Sequence, residues 1–329
     1  IFSEIKIMKL IGNLTFIPDA FIHYFKSLET VEINTPIIQE GIFSNSKIKI
    51  ITIGEEVEII QEKAFANCEN LQSIQFNNCN KLTTIQDYAF ENCISLESIE
   101  FPKSLQNINF HTVLKNCSSL KQIQLPLYIE TIGNSTFEGC SQLTEVTIPP
   151  FVKEIEKDAF KDCNNLTDVY LNEELKTIET NAFSSCSSLN NVIIPKNVEK
   201  IEENTFSECK SLQDLTIISD KVTIENNAFN SSTSLNNVVY LGSSSSNIYC
   251  SKESFGNNQT INSISVTSTQ SELSSICGYS TTELQNNGTC GENVYYKIDE
   301  NKKHVIIYGN GEITSKPWSE SMSSLETVV

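Results

Sequence analysis

The chain of 329 residues lacks most of the features that enzymes and membrane proteins need. It holds only three histidines, His23, His111 and His304, which lie far apart in the sequence. A His-Glu-x-x-His metal motif, a nucleophile elbow and a phosphate-binding glycine loop are all absent. No apolar run reaches the roughly 18 to 20 residues of a membrane-spanning helix. We therefore expect no catalysis, no metal or cofactor and no membrane insertion within this segment.

Basic side chains are also scarce. The chain has 23 Lys and Arg against 41 Asp and Glu, a formal net charge of -18 at pH 7. Such a surface repels a phosphate backbone, so nucleic acid is not an expected partner. Hydrophobic residues make up 39% and charged residues 19%, a balance that supplies a core and is typical of a folded chain.

The sequence does contain a strong internal period. A marker residue, usually the Phe of an Ala-Phe pair, recurs every 22 to 26 residues and most often every 23, at Phe21, Phe43, Phe65, Phe90, Leu114, Phe137, Phe160, Phe183, Phe206, Phe229 and Phe255. Other positions keep fixed offsets from the marker, as Cys163 and Val169 do from Phe160. A period of this length predicts a solenoid, because stacked coils share one core that no single coil can bury alone.

The pattern Leu-x-x-Val-x-Ile predicts one short strand in each coil. In four units a proline closes this run, where a residue without an N–H ends a strand without breaking its ladder: Pro102, Pro126, Pro149 and Pro195. A return leg with Val-x-x-Ile and Ala-Phe-x-x-Cys completes the coil. We expect the strands before about Thr267 to form one continuous parallel sheet, with inward side chains that include Val146, Val169, Val192 and Leu215.

The combined unit Leu-x-x-Val-x-Ile-Pro-x-x-Val-x-x-Ile-x-x-x-Ala-Phe-x-x-Cys resembles the BspA-like, or treponema-type, leucine-rich repeat. The resemblance covers about residues 21–266, with departures such as Leu114 in place of Phe and Ser232 in place of Cys. It implies an α/β fold class, a curved leucine-rich-repeat solenoid with a parallel β-sheet on its concave face. It also implies a surface or secreted protein of bacteria or parasitic protozoa that binds host proteins or other cells.

Three regions are predicted along the chain. Residues 1–266 form the solenoid, residues 267–289 a Ser/Thr-rich spacer, and residues 290–329 a small β-rich cap with the start of a further repeat block. The boundary rests on composition, because the period fades after the four serines at 243–246 and polar residues dominate the spacer. Two β-rich runs within and just before the cap predict a hairpin, and the cap resembles one found before repeat blocks in the same family.

Seven of the eleven cysteines occupy one position of the repeat, three residues after the marker: Cys68, Cys93, Cys117, Cys140, Cys163, Cys186 and Cys209. They predict a buried structural ladder, because free Cys is among the most buried residue types and zinc ligands are spaced differently. The other four are Cys79, Cys250, Cys277 and Cys290. We expect Cys277 and Cys290, which flank the spacer, to pair in an oxidising compartment and to stay free in a reducing one.

Seven Asn-x-Ser/Thr sequons are present, at Asn13, Asn116, Asn134, Asn165, Asn230, Asn258 and Asn287. Many arise by chance in a chain rich in Asn and Ser. Asn116 lies beside a ladder cysteine, and Asn165 lies just before a strand. If a eukaryote secretes the protein, we therefore expect N-glycosylation mainly at Asn230, Asn258 and Asn287.

Side chains that alternate with the buried strand positions face outward and form two columns across the stacked coils. The first column holds Gln122, Glu145, Asp168, Asn191 and Asp214, and the second holds Gln124, Thr147, Tyr170, Ile193 and Thr216. An acidic column beside an exposed aromatic residue is typical of an interface, although single exposed apolar residues are also common. We expect ligand binding on this face, with Tyr170 as the anchor.

Two functions remain open at this point. The leading hypothesis is a non-catalytic adhesion or recognition protein, secreted or on the cell surface, whose concave sheet binds a protein or glycan ligand of a host surface or of the extracellular matrix. The alternative is an intracellular, cytoplasmic scaffold that uses the same sheet for protein–protein interaction. Reduced ladder thiols suit both, whereas a disulfide or occupied sequons would favour secretion.

Overall fold

The computed structural model describes residues 2–12, 14, 16–18, 21–105, 111–242, 248–256, 258–266 and 274–283, and the backbone of four later strands. The chain forms a parallel β-solenoid of about 11 turns that are about 23 residues apart. The predicted solenoid is confirmed. The helices that an α/β class implies are not found in the described coils. Their return legs consist of turns and strands of two or three residues, without an α-helix. Short 3-10 turns lie at Phe2–Glu4, Ile22–Tyr24 and Lys252–Phe255.

The strands in chain order are β1 (Ile7–Ile11), β2 (Thr30–Asn34), β3 (Ile37–Ile38), β4 (Ile50–Ile53), β5 (Ile59–Ile60), β6 (Ser73–Phe76), β7 (Thr84–Ile85), β8 (Ser98–Glu100), β9 (Gln122–Gln124), β10 (Thr131–Ile132), β11 (Glu145–Thr147), β12 (Glu154–Ile155), β13 (Asp168–Tyr170), β14 (Thr177–Ile178), β15 (Asn191–Ile194), β16 (Lys200–Ile201), β17 (Asp214–Ile217), β18 (Val222–Ile224), β19 (Asn237–Tyr240), β20 (Ile248–Tyr249), β21 (Ser263–Val266), β22 (Ser275–Ile276), β23 (Tyr279–Glu283), β24 (Gly288–Gly291), β25 (Val294–Asp299), β26 (His304–Gly309) and β27 (Thr327–Val328).

Most of the described coils contribute a strand to each of two faces. The first, here called the long-strand face, is the side predicted to be concave, and its ladders are β1-β2-β4-β6, β8-β9, β11-β13 and β15-β17-β19-β21-β23. The second face carries the short return strands, in ladders β3-β5-β7 and β10-β12-β14-β16-β18-β20. Pairing along these ladders is parallel, in the register that the period predicts: Val146 pairs with Val169, and Val192 with Leu215.

The prediction of one continuous sheet is wrong. The long-strand face divides into four ladders, with interruptions between β6 and β8, between β9 and β11, and between β13 and β15. At least one strand at each interruption, β8, β9, β11 or β13, has only three residues. Short strands leave few ladder hydrogen bonds to join one coil to the next. Three of the four predicted inward residues are fully buried, and Val169 is half-buried against the core.

The core is a column of stacked phenylalanines. The rings run from Phe137 to Phe255, with successive centroids 5.1 to 5.4 Å apart and nearly parallel planes. A shorter stack joins Phe43, Phe65 and Phe90, and the buried Leu114 separates the two stacks. Sharp turns flank the markers from Phe43 to Phe229, because the residues two before and two after each of these markers have positive φ. Gly, Asn and Asp adopt that conformation most readily.

The cysteine ladder is confirmed as a structural element. Each ladder thiol donates a hydrogen bond to the carbonyl of the marker residue in the preceding coil, over Sγ to O distances of 3.1 to 3.4 Å. Burial raises the pKa of Cys68 to about 11 and those of Cys117 and Cys209 to about 12. Thiols held in this way stay protonated and unreactive at neutral pH.

At the C-terminal end of the array, other residues stand at the ladder position. Ser232 stands at the cysteine position, and its hydroxyl donates to the Phe206 carbonyl over 2.7 Å. In the next coil Asn258 follows Phe255 by three residues, and its Nδ2 donates to the Ser232 carbonyl over 2.8 Å. The Ser232 hydroxyl thus keeps the bond to a marker carbonyl, whereas the Asn258 amide satisfies the carbonyl of the preceding ladder residue.

The predicted Cys277–Cys290 disulfide is wrong, because Cys277 is bonded to Cys250, with Cα atoms 4.9 Å apart. Strands β22 and β23 form an antiparallel hairpin that places Cys277 in its turn, and β23 pairs in parallel with β21. The turn thus returns to the coil that carries Cys250. The ladder also runs one strand beyond residue 266, the predicted end of the solenoid.

The last four strands form a separate sheet in the order β24-β25-β26-β27. Strands β25 and β26 pair antiparallel from Val294 with Gly309 to Asp299 with His304, as a hairpin between the two predicted β-rich runs requires. The side chain of Cys290 lies outside the described residues. The boundaries of the spacer and the cap stay predictions.

Candidate functional site

The outward columns of the long-strand face are brought together as predicted. Glu145 pairs with Asp168 across β11 and β13, and Asn191 pairs with Asp214 across β15 and β17. Gln122 and Glu145 are exposed, whereas Asp168, Asn191 and Asp214 are half-buried. The first column is therefore most open at its N-terminal end.

The side chains of the second column also become less exposed towards the C-terminal end. Gln124 and Thr147 are exposed, Tyr170 is 47% exposed and Ile193 is half-buried. Thr216, placed outward by the alternation of the strand, is only 5% exposed, so its prediction as a surface residue is wrong. Val239 at the same level of the next coil is buried too. From β8 onward, the open part of the face lies between Ser98 and Tyr170.

A shallow groove crosses this open part. It is lined by three consecutive strands through Ser98, Ile99, Glu100, Gln122, Ile123, Gln124, Glu145 and Thr147. The isoleucines form its floor, and amides, hydroxyls and carboxylates form its sides. Ser98 and Glu100 were missed as site residues, although the Leu-x-x-Ile spacing of Leu96 and Ile99 places them outward by the same rule as the others.

The groove carries negative charge without a basic side chain among its lining residues. Further along the face, neighbouring polar groups fix the carboxylates: Thr167 Oγ1 donates to Asp168 Oδ2 over 2.8 Å, and Asn237 Nδ2 donates to Asp214 Oδ1 over 2.6 Å. Such a surface offers hydrogen-bond acceptors to a basic partner.

The described residues contain no cluster of three or more His, Cys, Asp and Glu side chains arranged to hold a metal ion. His111 lies on the return leg and not on the long-strand face. Its Nδ1 is 3.2 Å from Glu156 Oε2, and the Asn134 N–H donates to both atoms. Among the residues described, no helix is long and apolar enough to span a bilayer.

The structure changes the expected pattern of N-glycosylation. Asn258 is only 6% exposed and uses its Nδ2 in the ladder, so the prediction of a glycan there is wrong. Asn230 is half-buried, and Asn287 and Asn13 lie outside the described residues. Asn134 and Asn165, which were not expected to be used, are exposed.

The geometry is that of a leucine-rich-repeat solenoid with a shallow polar face. A family model, the BspA type leucine rich repeat region, matches in six copies over residues 36–167 and 153–285. Because these ranges cover most of the chain, the protein belongs to the BspA-type leucine-rich-repeat family. The predicted resemblance is confirmed. A comparison with curated proteins found no match.

Solved structures are similar to this chain to different degrees. A leucine-rich repeat protein from Bacteroides ovatus is 22% identical, with a TM-score of 0.62, over 84% of this chain and 82% of that one. The pneumococcal vaccine antigen PcpA is 18% identical, with a TM-score of 0.49, over 79% and 72%. A Treponema pallidum leucine-rich repeat protein is 22% identical, with a TM-score of 0.38, over 63% and 77%.

Proposed function

We propose that this chain is a non-catalytic recognition protein that binds a protein ligand through the open part of its long-strand face. The observation that carries the proposal is the acidic groove between Ser98 and Thr147, which Tyr170 borders on the next strand. Repeat proteins of this family typically serve protein interaction. A rigid, shallow wall is suited to a macromolecular surface rather than to a small substrate, which requires an enclosed pocket.

The residues on this face indicate the chemistry of the ligand. Tyr170 is the aromatic side chain of the second column, and aromatic residues contribute strongly to binding when they become desolvated. Glu100 and Glu145 add negative charge to a protein that is already acidic. A ligand with a basic surface would be attracted over a distance and would meet acceptors on arrival.

We further propose that the protein is secreted or lies on the cell surface, where its ligand belongs to another cell or to the extracellular matrix. The Cys250–Cys277 disulfide supports this location, because structural disulfides form and persist in oxidising compartments. The family also supports it. An intracellular scaffold is the alternative, but a reducing cytosol does not favour the disulfide.

The test compares captures from a detergent extract of surface-biotinylated host cells. The bait is the whole chain, either unaltered, with Tyr170→Ala and Glu145→Gln, or with Lys176→Ala on the return leg. We expect a ligand that the unaltered and Lys176→Ala chains retain and the Tyr170→Ala, Glu145→Gln variant loses. Tyr170→Ala alone should weaken the binding free energy of this ligand by about 1 to 2 kcal/mol.

Equal capture by all three baits, or loss with Lys176→Ala only, would show that the long-strand face is not the binding surface. Deglycosylating the extract separates the chemical classes, since a ligand that disappears after this treatment is a glycan and contradicts the proposal of a protein ligand.

A further inference from the structure

Most of the described coils leave the long-strand face through a turn in which two residues at the surface precede a buried aliphatic residue. We call these two residues the edge pair. The structure describes eight of them: Glu55-Glu56, Asn80-Lys81, Lys103-Ser104, Leu127-Tyr128, Pro150-Phe151, Glu173-Glu174, Lys196-Asn197 and Asp220-Lys221. Six pairs are polar or charged, as a turn at the surface usually is. The two apolar pairs lie in adjacent coils.

These two pairs form one contiguous apolar surface, here called the edge patch: Leu127, Tyr128, Pro150 and Phe151. The rings of Tyr128 and Phe151 stack with centroids 5.6 Å apart and planes 20° apart. Yet the stack is open to solvent, since Leu127 is 53% exposed, Tyr128 51% and Phe151 48%.

The fold does not depend on apolar residues at these positions. Six other coils make the same turn with Glu, Lys, Asp, Asn or Ser. In the coil of Phe151 the turn is fixed from the next coil, where Asn172 Nδ2 donates to the carbonyls of Pro149, over 2.6 Å, and of Val152, over 3.0 Å. A single exposed apolar residue needs no explanation, but a contiguous patch is characteristic of a binding surface.

Negative charge lies directly beside the patch. The edge pair of the following coil is Glu173-Glu174, and both residues are exposed. Glu130 on the coil of Tyr128 is neutralised by Lys153 over 2.9 Å, whereas the ion pairs of the described residues do not include Glu173 or Glu174. The patch and the two carboxylates therefore form one strip that is apolar at one end and acidic at the other.

We propose that this strip binds a polypeptide segment of a partner protein that carries an apolar side chain followed by Arg or Lys. The apolar side chain packs on Tyr128 and Phe151, and the cation lies between the outer face of the Phe151 ring and the two glutamates. Coils stacked about 4.8 Å apart set the distance across two coils at about 10 Å, which is about three residues of extended chain. The segment thus holds its apolar and basic groups two or three positions apart.

This site is independent of the proposed function, because it uses the turn edge and not the groove. The probes are three fluorescein-labelled peptides with blocked ends, of sequence Trp-Ala-Arg-Arg, Trp-Ala-Glu-Glu and Ser-Ala-Arg-Arg, and the readout is fluorescence anisotropy with the whole chain. We expect the first peptide to bind about tenfold or more tightly than either of the others, because it alone has both groups.

Three double variants locate the site. Tyr128→Ser with Phe151→Ser should weaken binding of the first peptide about tenfold or more, and Glu173→Gln with Glu174→Gln should weaken it and reduce its salt dependence. The control, Asn80→Ser with Lys81→Ser, changes an exposed edge pair two coils before Tyr128 and should leave binding unchanged. All three pairs are at the surface, so thermal melting should stay close to that of the unaltered chain.

Several outcomes would overturn the proposal. Undiminished binding in the Tyr128→Ser, Phe151→Ser variant would show that charge alone attracts the peptide. Loss of peptide binding with Tyr170→Ala would place the peptide on the long-strand face. A dimer that the unaltered chain forms and the double serine variant does not form would show that the patch is covered by a second copy of the chain.

Discussion

Two regions of the array share the same repeat but are stabilised differently. One is formed by the coils between Phe137 and Phe229, and the other is the last described coil, which holds Phe255 and Cys277. In the middle, every marker interval is 23 residues, the rings from Phe160 to Phe229 have a stacked ring on either side, and most coils carry a ladder thiol. In the last coil the interval is 26 residues, an asparagine takes the ladder position, and a disulfide ties the terminal hairpin back. The middle coils are stabilised by packing against adjacent coils, and the last coil is also stabilised by a disulfide.

This difference shows where stability comes from in a stacked array. An inner coil shares its core with two others, so regular packing suffices. A terminal coil shares its core on one side only. There the Phe255 ring meets the edge of Tyr279 at 5.6 Å instead of another phenylalanine, and the disulfide restricts the unfolded chain where packing is incomplete.

The largest expected effect is in the middle. Phe183 stacks between Phe160 and Phe206 at 5.1 and 5.2 Å, so Phe183→Ala should lower the free energy of unfolding by about 3 to 5 kcal/mol. The matched control is Phe183→Leu, which copies the natural Leu114 and should cost less than Phe183→Ala, because it removes fewer buried atoms. Urea denaturation measures both. Equal losses from the two variants would contradict a role for ring volume.

At the end of the array, removal of the disulfide should have a local effect. Cys250→Ser with Cys277→Ser frees a loop closed over 27 residues and should cost about 3 kcal/mol in that coil. Amide hydrogen exchange should become faster in residues 248–283 and stay unchanged in residues 137–229. Faster exchange throughout would mean that the two regions unfold as one unit. The Cys79→Ser variant, which leaves the disulfide intact, is the control.

The smallest effect is expected when a hydroxyl replaces one thiol of the cysteine ladder. Cys209→Ser copies Ser232 and should change stability little at pH 7, because the hydroxyl can keep the hydrogen bond. Burial raises the pKa of Cys209 from 9.0 to about 12, so the thiol's contribution is complete below pH 9 and is lost as pH rises towards 12. Between pH 9 and 12, the free energy of unfolding should therefore fall less steeply for the variant than for the unaltered chain, by about 1.4 kcal/mol per pH unit. Parallel pH profiles would contradict this.

The period predicted most of the scaffold, because each apolar position of the repeat has a single place in a stacked coil. Phe160, Cys163 and Val192 all lie where their offsets put them. The buried role of Asn258 could also have been predicted, since it follows Phe255 by the ladder offset of three.

Other features depend on contacts that a repeat pattern does not contain. The pairing of Cys250 with Cys277 depends on a hairpin that breaks the period. The burial of Thr216 depends on what covers the face and not on the alternation within its strand. The stacking of Tyr128 on Phe151 arises from two coils that are exceptional at the same turn.

The parallel ladders also set how the protein would respond to force. Hydrogen bonds between coils run along the array, so a pull on its ends loads them one coil at a time, as in opening a zipper. Each coil of about 23 residues would release roughly 80 Å of chain when it detaches. The disulfide would withhold the segment between Cys250 and Cys277 from this extension. An array anchored at one end and bound at the other would therefore lengthen in steps under load before its ligand is pulled away.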